Sequence, residues 1–393
     1  MIDRTITDPN MLAAAAAPDV AFIRSTPSET LPPPPGTRGA VAWIREHLFG
    51  SPTSTILTVL SALFLIWVVP DIVSYTITDA VWTGTADDCR KPGAGACWVF
   101  VQRNIPFFVY GSYPQPHRWR VDVWFALLAI LVTWVLWPKA PRRGLGATLL
   151  IVVFPIVTYV LLSGVSNEPG ALLERVPTNL WGGVFVSLLV AIVGIVFSLP
   201  AGVLLALGRR SSMPIVKLFS VVFIEFVRGV PLITVLFMAN TMLPLFVPEQ
   251  WSPDRLLRPL IGVALFSAAY MAEVVRGGLQ AMPKGQFEGA MALGLNYNRM
   301  MRLIILPQAL TMVIPGIVNT FIGLFKDTTL VAIVGIYDFL KAVETRRLDP
   351  DWAGPTISTS GYLFAAIFYF VFCWGMSRYS LMMERKLAAG KRR

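Results

Sequence analysis

Uncharged apolar runs of about 20 residues, the length of a helix that crosses a bilayer, recur along this chain between short polar stretches. Six runs are long enough: 51–70, 145–167, 178–208, 229–248, 303–325 and 352–377. Two shorter ones, 123–138 with tryptophans towards both ends and 259–272, complete a set of eight predicted spans. Continuous apolar runs of this length are helices, not the alternating strands of a barrel, so the expected fold is an all-α integral membrane protein.

The cations fall on alternate loops. Arg38 and Arg45 precede the first span, and Lys139, Arg142 and Arg143 follow the second. Arg209, Arg210 and Lys217 follow the fourth, while Arg276, Lys284, Arg299 and Arg302 follow the sixth. Arg385, Lys386, Lys391, Arg392 and Arg393 follow the last. Cytoplasmic loops carry such an excess, so both termini are expected in the cytoplasm. The loop 71–121 dissents with five cations, Arg90 to Arg120, but it is long and also holds Asp79, Asp87 and Asp88. The expected organisation is a disordered cytoplasmic tail (1–40), a three-span extension (41–177), a five-span core (178–385) with a polar loop at 280–306, and a basic tail (386–393). The first 40 residues have neither the apolar stretch nor the cleavage site of a signal peptide. No internal repeat is apparent, which disfavours an inverted-repeat secondary transporter.

Composition agrees. Only 14% of the 393 residues are charged, against roughly 25% in soluble domains, and the mean hydropathy is +0.63. A net charge of +10 could suggest nucleic acid, but the cations are dispersed beside apolar runs and no basic domain exists. No phosphate-cradling G-x-x-x-x-G-K-[ST] run, zinc-binding H-E-x-x-H or nucleophile elbow occurs, and His47 and His117 are isolated. No metal or bound cofactor is therefore expected. Cys89 and Cys97 share one loop; they form a bridge if that loop faces an oxidising compartment, and two free thiols otherwise. Their C-x7-C spacing is not a metal motif.

The most specific segment lies between the sixth and seventh predicted spans. Pro283 and Gly285 interrupt the sixth span's continuation, and Glu288 is expected in the first turn of a new helix, where a carboxylate complements the helix dipole. Gly289, Ala290, Ala292 and Gly294 leave one surface bare enough for another protein to approach. Leu306-Pro307 is expected to open the next span. Small residues alone would fit an ordinary loop helix; the complete spacing beside two spans argues for docking.

Ionisable groups inside spans are expensive and mark function by default. Glu225/Arg228 and Glu273/Arg276 are each spaced i, i+3, so each pair can neutralise itself on one helix face. They read either as self-paired anchors or as gating groups. Lys326 and Asp327 are sequence neighbours that point about 100° apart and pair poorly, beside the hydroxyls of Thr328 and Thr329. They either line a pathway or sit solvated at the outer end of their span.

The segment Glu288-Gly289-Ala290 through Gly294 to Ile304-Ile305-Leu306-Pro307 resembles the EAA coupling loop of ABC importer permeases, with Gly289 where that loop has Ala. Residues 178–340 further resemble the polar amino acid uptake subfamily, in Glu225-Phe226-Val227-Arg228-Gly229-Val230-Pro231-Leu232, Tyr270 to Gly278, and Lys326-Asp327-Thr328-Thr329-Leu330. Trp43 to Glu46, Ala80-Val81-Trp82, Cys89 with Cys97-Trp98, and Tyr110-Gly111 with Tyr113-Pro114 resemble the branch of general L-amino-acid permeases with three extra N-terminal spans. The resemblance implies a type I importer permease in the bacterial inner membrane that hydrolyses no ATP itself. It implies a second homologous permease, an ATP-binding cassette ATPase dimer carrying ATP and Mg, and a periplasmic amino-acid-binding protein as partners. In that setting Glu288, Gly289, Ala290, Gly294, Leu306 and Pro307 would couple to the ATPase. Asp327 would face a substrate ammonium and Lys326 or Arg228 its carboxylate, with Glu225, Glu273, Thr328 and Thr329 as further pathway candidates. Two rival classes are an intramembrane enzyme using Asp327 or Glu273 as acid/base, and a secondary transporter working alone on an ion gradient.

Overall fold

The computed structural model describes residues 39–390. The expected disordered tail 1–40 falls almost wholly outside the described residues, as do Lys391, Arg392 and Arg393. The last span does not give way to a tail at 386, because its helix continues to Gly390.

The chain forms two compact units that divide after Ile72. In the first, helix α1 (Pro52–Val73) is apolar around its whole circumference, with Ile56, Leu57, Phe64, Ile66 and Trp67 all exposed. That is the surface of a lipid-facing helix.

The first unit also contains a short helix, Ala40–Leu48, and the second unit holds the main elements that follow. They are α2 (Trp98–Tyr110), α3 (Arg118–Leu136), α4 (Arg143–Ser163), α5 (Val184–Arg209), α6 (Pro214–Gly229), α7 (Leu232–Phe246), α8 (Leu257–Gln280), α9 (Lys284–Ala292), α10 (Leu306–Met312), α11 (Ile314–Asp327), α12 (Phe339–Arg347) and α13 (Ile357–Gly390). Seven helices among the described residues are long and apolar enough to cross a membrane, and α6 with α7 makes a possible eighth, bent by 107°. Among the described residues the fold is all-α apart from a two-residue parallel pairing, Gly182–Gly183 with Tyr337–Asp338, and two single-residue bridges, Val81 with Cys97 and Ser166 with Glu174.

Two predicted spans are broken. The run 229–248 does not form one helix, because Pro231 lacks an amide hydrogen and forces Val230 into an extended conformation (φ −108°, ψ 136°). The chain therefore turns between α6 and α7. The run 303–325 breaks at Val313 (φ −107°, ψ 13°), two residues before Pro315. The span that results is Ile314–Val334, so Leu306-Pro307 opens the short α10 and not the span itself. Lys326 and Asp327 consequently fall within the apolar helical run Ile314–Val334, at the C-terminal end of α11. The predicted loop 71–121 also contains α2, whose Val99, Phe100, Val101 and Phe108 are buried; Pro106 and its short length hide it from a run-length reading.

Three of the four π-helical turns among the described residues share one cause; the fourth, Ser74–Thr78, has no proline after it. The π-helical turns Leu149–Val153, Met238–Met242 and Met301–Ile305 are each followed by X-Pro: Phe154-Pro155, Leu243-Pro244 and Leu306-Pro307. A proline cannot donate to the preceding turn and its ring presses on the carbonyl there, and an extra residue per turn relieves the clash.

Helices α5 and α8 share the most extensive contact of any pair. Their backbones meet where Gly202 faces α8, and a Cβ at that position would lie 2.7 Å from Met271 Cβ and 3.0 Å from the Ala272 amide nitrogen. Small residues permit this approach where lipid supplies no hydrophobic drive. Gly202→Ala is expected to lower the thermal unfolding midpoint of the purified protein, by an overpacking penalty of about 1–3 kcal/mol. Gly277→Ala, on the same helix pair with open space beyond its Cα, should leave the midpoint unchanged or raise it. An unaltered midpoint for Gly202→Ala would contradict this packing.

Candidate functional site: the polar loop and the ion cluster beside it

Helix α9 begins at Lys284, with Pro283 as its N-cap residue in an extended conformation (ψ 138°). Glu288 is therefore mid-helix and not in the first turn, so the expected dipole pairing is absent; Pro283 starts the helix one turn earlier than the spacing suggested. At the other end the Gly294 amide donates to the Met291 carbonyl (2.9 Å) and the Leu295 amide to Ala290 (3.2 Å). These are the paired bonds of a Schellman cap, with Gly294 left-handed at φ +71°. Nothing lies within 4 Å of a Cβ built on Gly294. Backbone conformation, not crowding, thus requires glycine here.

The helix then presents two faces. Ala290 is buried, and Phe287 and Leu295 are partly buried, against a cluster that includes Ile224, Met271, Val275, Met300, Ile305 and Ala309. Glu288, Gly289, Met291, Ala292 and Leu293 face outward, with Leu293 76% exposed. A Cβ added at Gly285 or Gly289 would also meet nothing. The outward face is a small-residue knob tipped by two apolar side chains. The Gln308 amide ties the knob to α10 through Gln286 Oε1 (3.0 Å), and Pro307 occupies the first turn of α10.

Beside the knob, five charged side chains from α5, α6 and α8 form one cluster. Arg276 donates to both Glu273 oxygens, to Oε2 at 2.7 and 2.9 Å and to Oε1 at 3.0 Å. The expected partner of Glu225, Arg228, stands 4.0 Å away, and Glu225 instead accepts from Arg209 at 2.7 Å. Arg209 also reaches Glu273 (2.9 Å), and Arg228 stands 3.7 Å from it. The two pairs are thus fused rather than self-contained. Arg209, read from sequence only as an interfacial cation, is the link. No local spacing reveals it, since 16 and 64 residues separate it from its partners. Glu273 is the best shielded member, its side chain 16% exposed against 53% for Glu225.

The other pathway candidates are placed elsewhere. Lys326 is exposed and Asp327 half-buried; among the described residues neither has an ion-pair partner, and no hydrogen bond joins them to the cluster. The Thr328 hydroxyl donates to the Phe325 carbonyl (2.8 Å) and the Thr329 hydroxyl to Lys326 (2.9 Å). Both donors are used on their own helix, so these groups offer only lone pairs to a passing solute.

Comparison with known proteins shows the family. Residues 198–388 match the family described as the binding-protein-dependent transport system inner membrane component. The chain is 47% identical over 365 residues to the inner membrane amino-acid ABC transporter permease protein YhdY of Escherichia coli, covering 92% of this chain and 97% of that one. The chain belongs to the amino-acid ABC transporter permeases. A second relative of this permease is the glutamate/glutamine/aspartate/asparagine transport system permease protein BztC of Rhodobacter capsulatus, 39% identical over 433 residues and covering 94% and 98% of the two chains. A solved amino acid ABC transporter with histidines covers 52% of this chain and 92% of its own, at 27% identity and a TM-score of 0.46. The permease is a multi-pass transport subunit of an ATP-driven amino acid importer and not an enzyme.

The Cys89–Cys97 bridge was one of the two readings of the sequence, whereas what it fastens and the buried Asp338 were missed. Cys89 and Cys97 are disulfide-bonded, and the bridged turn fastens the loop after α12. Arg90 donates to the Ala353 and Asp351 carbonyls (2.8 Å each), and the Cys97 amide to Ser360 Oγ (2.7 Å). Asp338 is fully buried and caps α12 by accepting from the Leu340 and Lys341 amides (3.0 and 3.1 Å). Its place just before a helix was a legible N-cap signal; its burial was not. Those amides favour the carboxylate, but burial outweighs them and pushes its pKa up to about 7.

A carboxyl whose pKa rises on folding binds its proton more tightly in the folded state. The contribution of Asp338 to stability is therefore fully present below the ordinary carboxylate range and is lost as pH rises towards 7. Thermal midpoints between pH 5 and pH 8 should fall for the native chain and fall less for Asp338→Asn; equal slopes would contradict this assignment. For the ion cluster, a double-mutant cycle of Arg209→Ala and Glu273→Gln should give a coupling within the roughly 0.5–3 kcal/mol seen for residues in one network. Additive effects would show that the two groups act separately.

Proposed function

We propose that this permease carries L-amino acids, chiefly polar and acidic ones, from a periplasmic binding protein across the bacterial inner membrane into the cytoplasm. The name of its relative BztC supports the substrate class. A second, homologous and shorter permease completes the pathway, and an ATPase dimer holding ATP and Mg lies beneath the pair. Both termini, the loop after α3, and the α9 knob face the cytoplasm, as the alternating loop cations argue. The observation that carries the reading is the α9 knob: a helix closed by a glycine cap, seated by one face on the bundle and presenting Met291 and Leu293 with no partner among the described residues. The ATPase docks there, against Glu288, Gly289 and Gly294, with Leu306-Pro307 at the base of the seat. Ala290, expected from sequence in the same role, is buried and instead seats the helix on the bundle.

Motion of the knob passes through its buried face to α8 and so to the cluster around Glu273. Those charges hold α5, α6 and α8 together as the bundle alternates between outward-facing and inward-facing states. Asp327 serves the substrate ammonium, and Lys326 or Arg228 its carboxylate, with Glu225, Glu273, Thr328 and Thr329 along the same route. Each ionisable group inside a span is costly and is retained for function.

Gly294→Arg places a long cation on the knob and a side chain at positive φ. Uptake of radiolabelled amino acid into cells should be abolished, while membrane insertion, read by immunoblot of membranes, stays intact. Normal uptake by this variant would defeat the docking assignment.

A further inference from the structure

At the end of the bundle opposite the α9 knob, a half-open cleft of about 600 Å³ lies between the C-terminal end of α4, the segment after it, and the residues preceding α8. Its volume falls in the roughly 300–1,000 Å³ range of small-molecule sites. The lining includes Ser163, Arg175, Thr178, Asn179, Asp254 and Arg255. No residue of the loop, cluster or pathway described above belongs to it.

Three observations bear on what it holds. Ser163 is only 6% exposed, yet its hydroxyl has no hydrogen-bond partner. Buried hydroxyls are nearly always satisfied, so a partnerless one lining a cleft marks where a ligand or water completes it. Trp181, in the niche that adjoins the cleft and shares Thr178, Asn179 and Arg255 with it, also leaves its indole N–H buried without a partner. Arg175 makes no side-chain hydrogen bond or ion pair among the described residues, and Arg255 reaches only the Gly335 carbonyl, at 3.4 Å. Asp254, by contrast, is fixed in place: it accepts from the Thr178 hydroxyl (2.8 and 2.9 Å) and the Leu256 amide (2.9 Å).

Two under-used guanidinium groups and one positioned carboxylate mirror the charges of a dicarboxylic amino acid, which carries two carboxylates and one ammonium. Guanidinium favours carboxylate through paired, planar hydrogen bonds. We propose that this cleft is a binding site for acidic amino acids, separate from the transmembrane pathway, with Arg175 and Arg255 taking the two carboxylates, Asp254 the ammonium, and Ser163 a further hydrogen bond. The proposal rests on the topology given above, which turns this end of the bundle to the periplasm. The site would collect acidic substrate at the outer surface of the permease.

The test uses Asn179→Cys in the full-length chain within the assembled importer, in right-side-out vesicles with a membrane-impermeant maleimide. Asn179 is exposed and lines the cleft, and the native cysteines are either bridged or, as Cys373, within a span. Labelling from outside is expected, slowed at least threefold by millimolar L-glutamate and little by L-glutamine. Adding Arg175→Gln and Arg255→Gln should remove the protection while labelling persists, which shows that the chain is still folded and inserted. Absence of labelling from outside overturns the location. Equal protection by both amino acids, protection that survives the double substitution, or protection only by a periplasmic protein and not by free L-glutamate overturns the ligand. Uptake by Asp327→Asn, measured in parallel, reads the transport pathway separately: loss of uptake with protection retained keeps the two sites distinct.

Discussion

Glu273 faces three guanidinium groups from three helices, two of them at hydrogen-bonding distance and the third at 3.7 Å. In a partly shielded position a carboxylate persists only when its charge is met. Here the meeting charges arrive from α5 (Arg209), from α6 (Arg228) and from α8 itself (Arg276), with Glu225 on α6 closing the circuit through Arg209. Because the charges cannot be separated cheaply, the helix ends that carry them are held as one body. The bend at Val230-Pro231 separates α6, which carries Glu225 and Arg228 to the cluster, from the apolar α7.

The same three helices support the α9 knob. Its buried Ala290 joins Ile224, Met271 and Val275 in one apolar cluster, so the knob packs on residues of the helices that carry the ion cluster. Close packing makes such an apolar cluster shift as a unit rather than deform. At the other end of the bundle a different lock operates. The disulfide-bridged turn and α2 pack on α12 and α13 through Phe100, Phe108, Phe339 and Val343, with Arg90 fastening the 351–353 backbone. The N-terminal extension thus contributes a clamp on the last loop of the core.

Run length and loop charge made the span count legible, because both are set by bilayer thickness and topology and act locally. The glycine at 294 was legible as part of a spacing, although its physical reason, a left-handed cap, needed the backbone. Run length misled where a proline sat inside an apolar stretch, at Pro231 and Pro315, since hydropathy does not register a missing amide. It also passed over α2, whose burial depends on residues from α12 and α13 more than 200 positions away. Arg209 and the shielding of Asp338 were hidden for the same reason: long-range packing decides which charges meet and which lose solvent. The i, i+3 rule found Glu273 with Arg276, and missed every contact that crosses between helices.

The central claim is that a separate ATPase grips this permease at the outward face of α9. It is tested most directly by oxidative crosslinking from Leu293→Cys in the assembled importer, scanned against single cysteines on the ATPase subunit, with and without nucleotide. The account predicts an adduct with the ATPase whose yield changes on ATP binding. An ATPase that assembles with the permease yet never forms that adduct would contradict it.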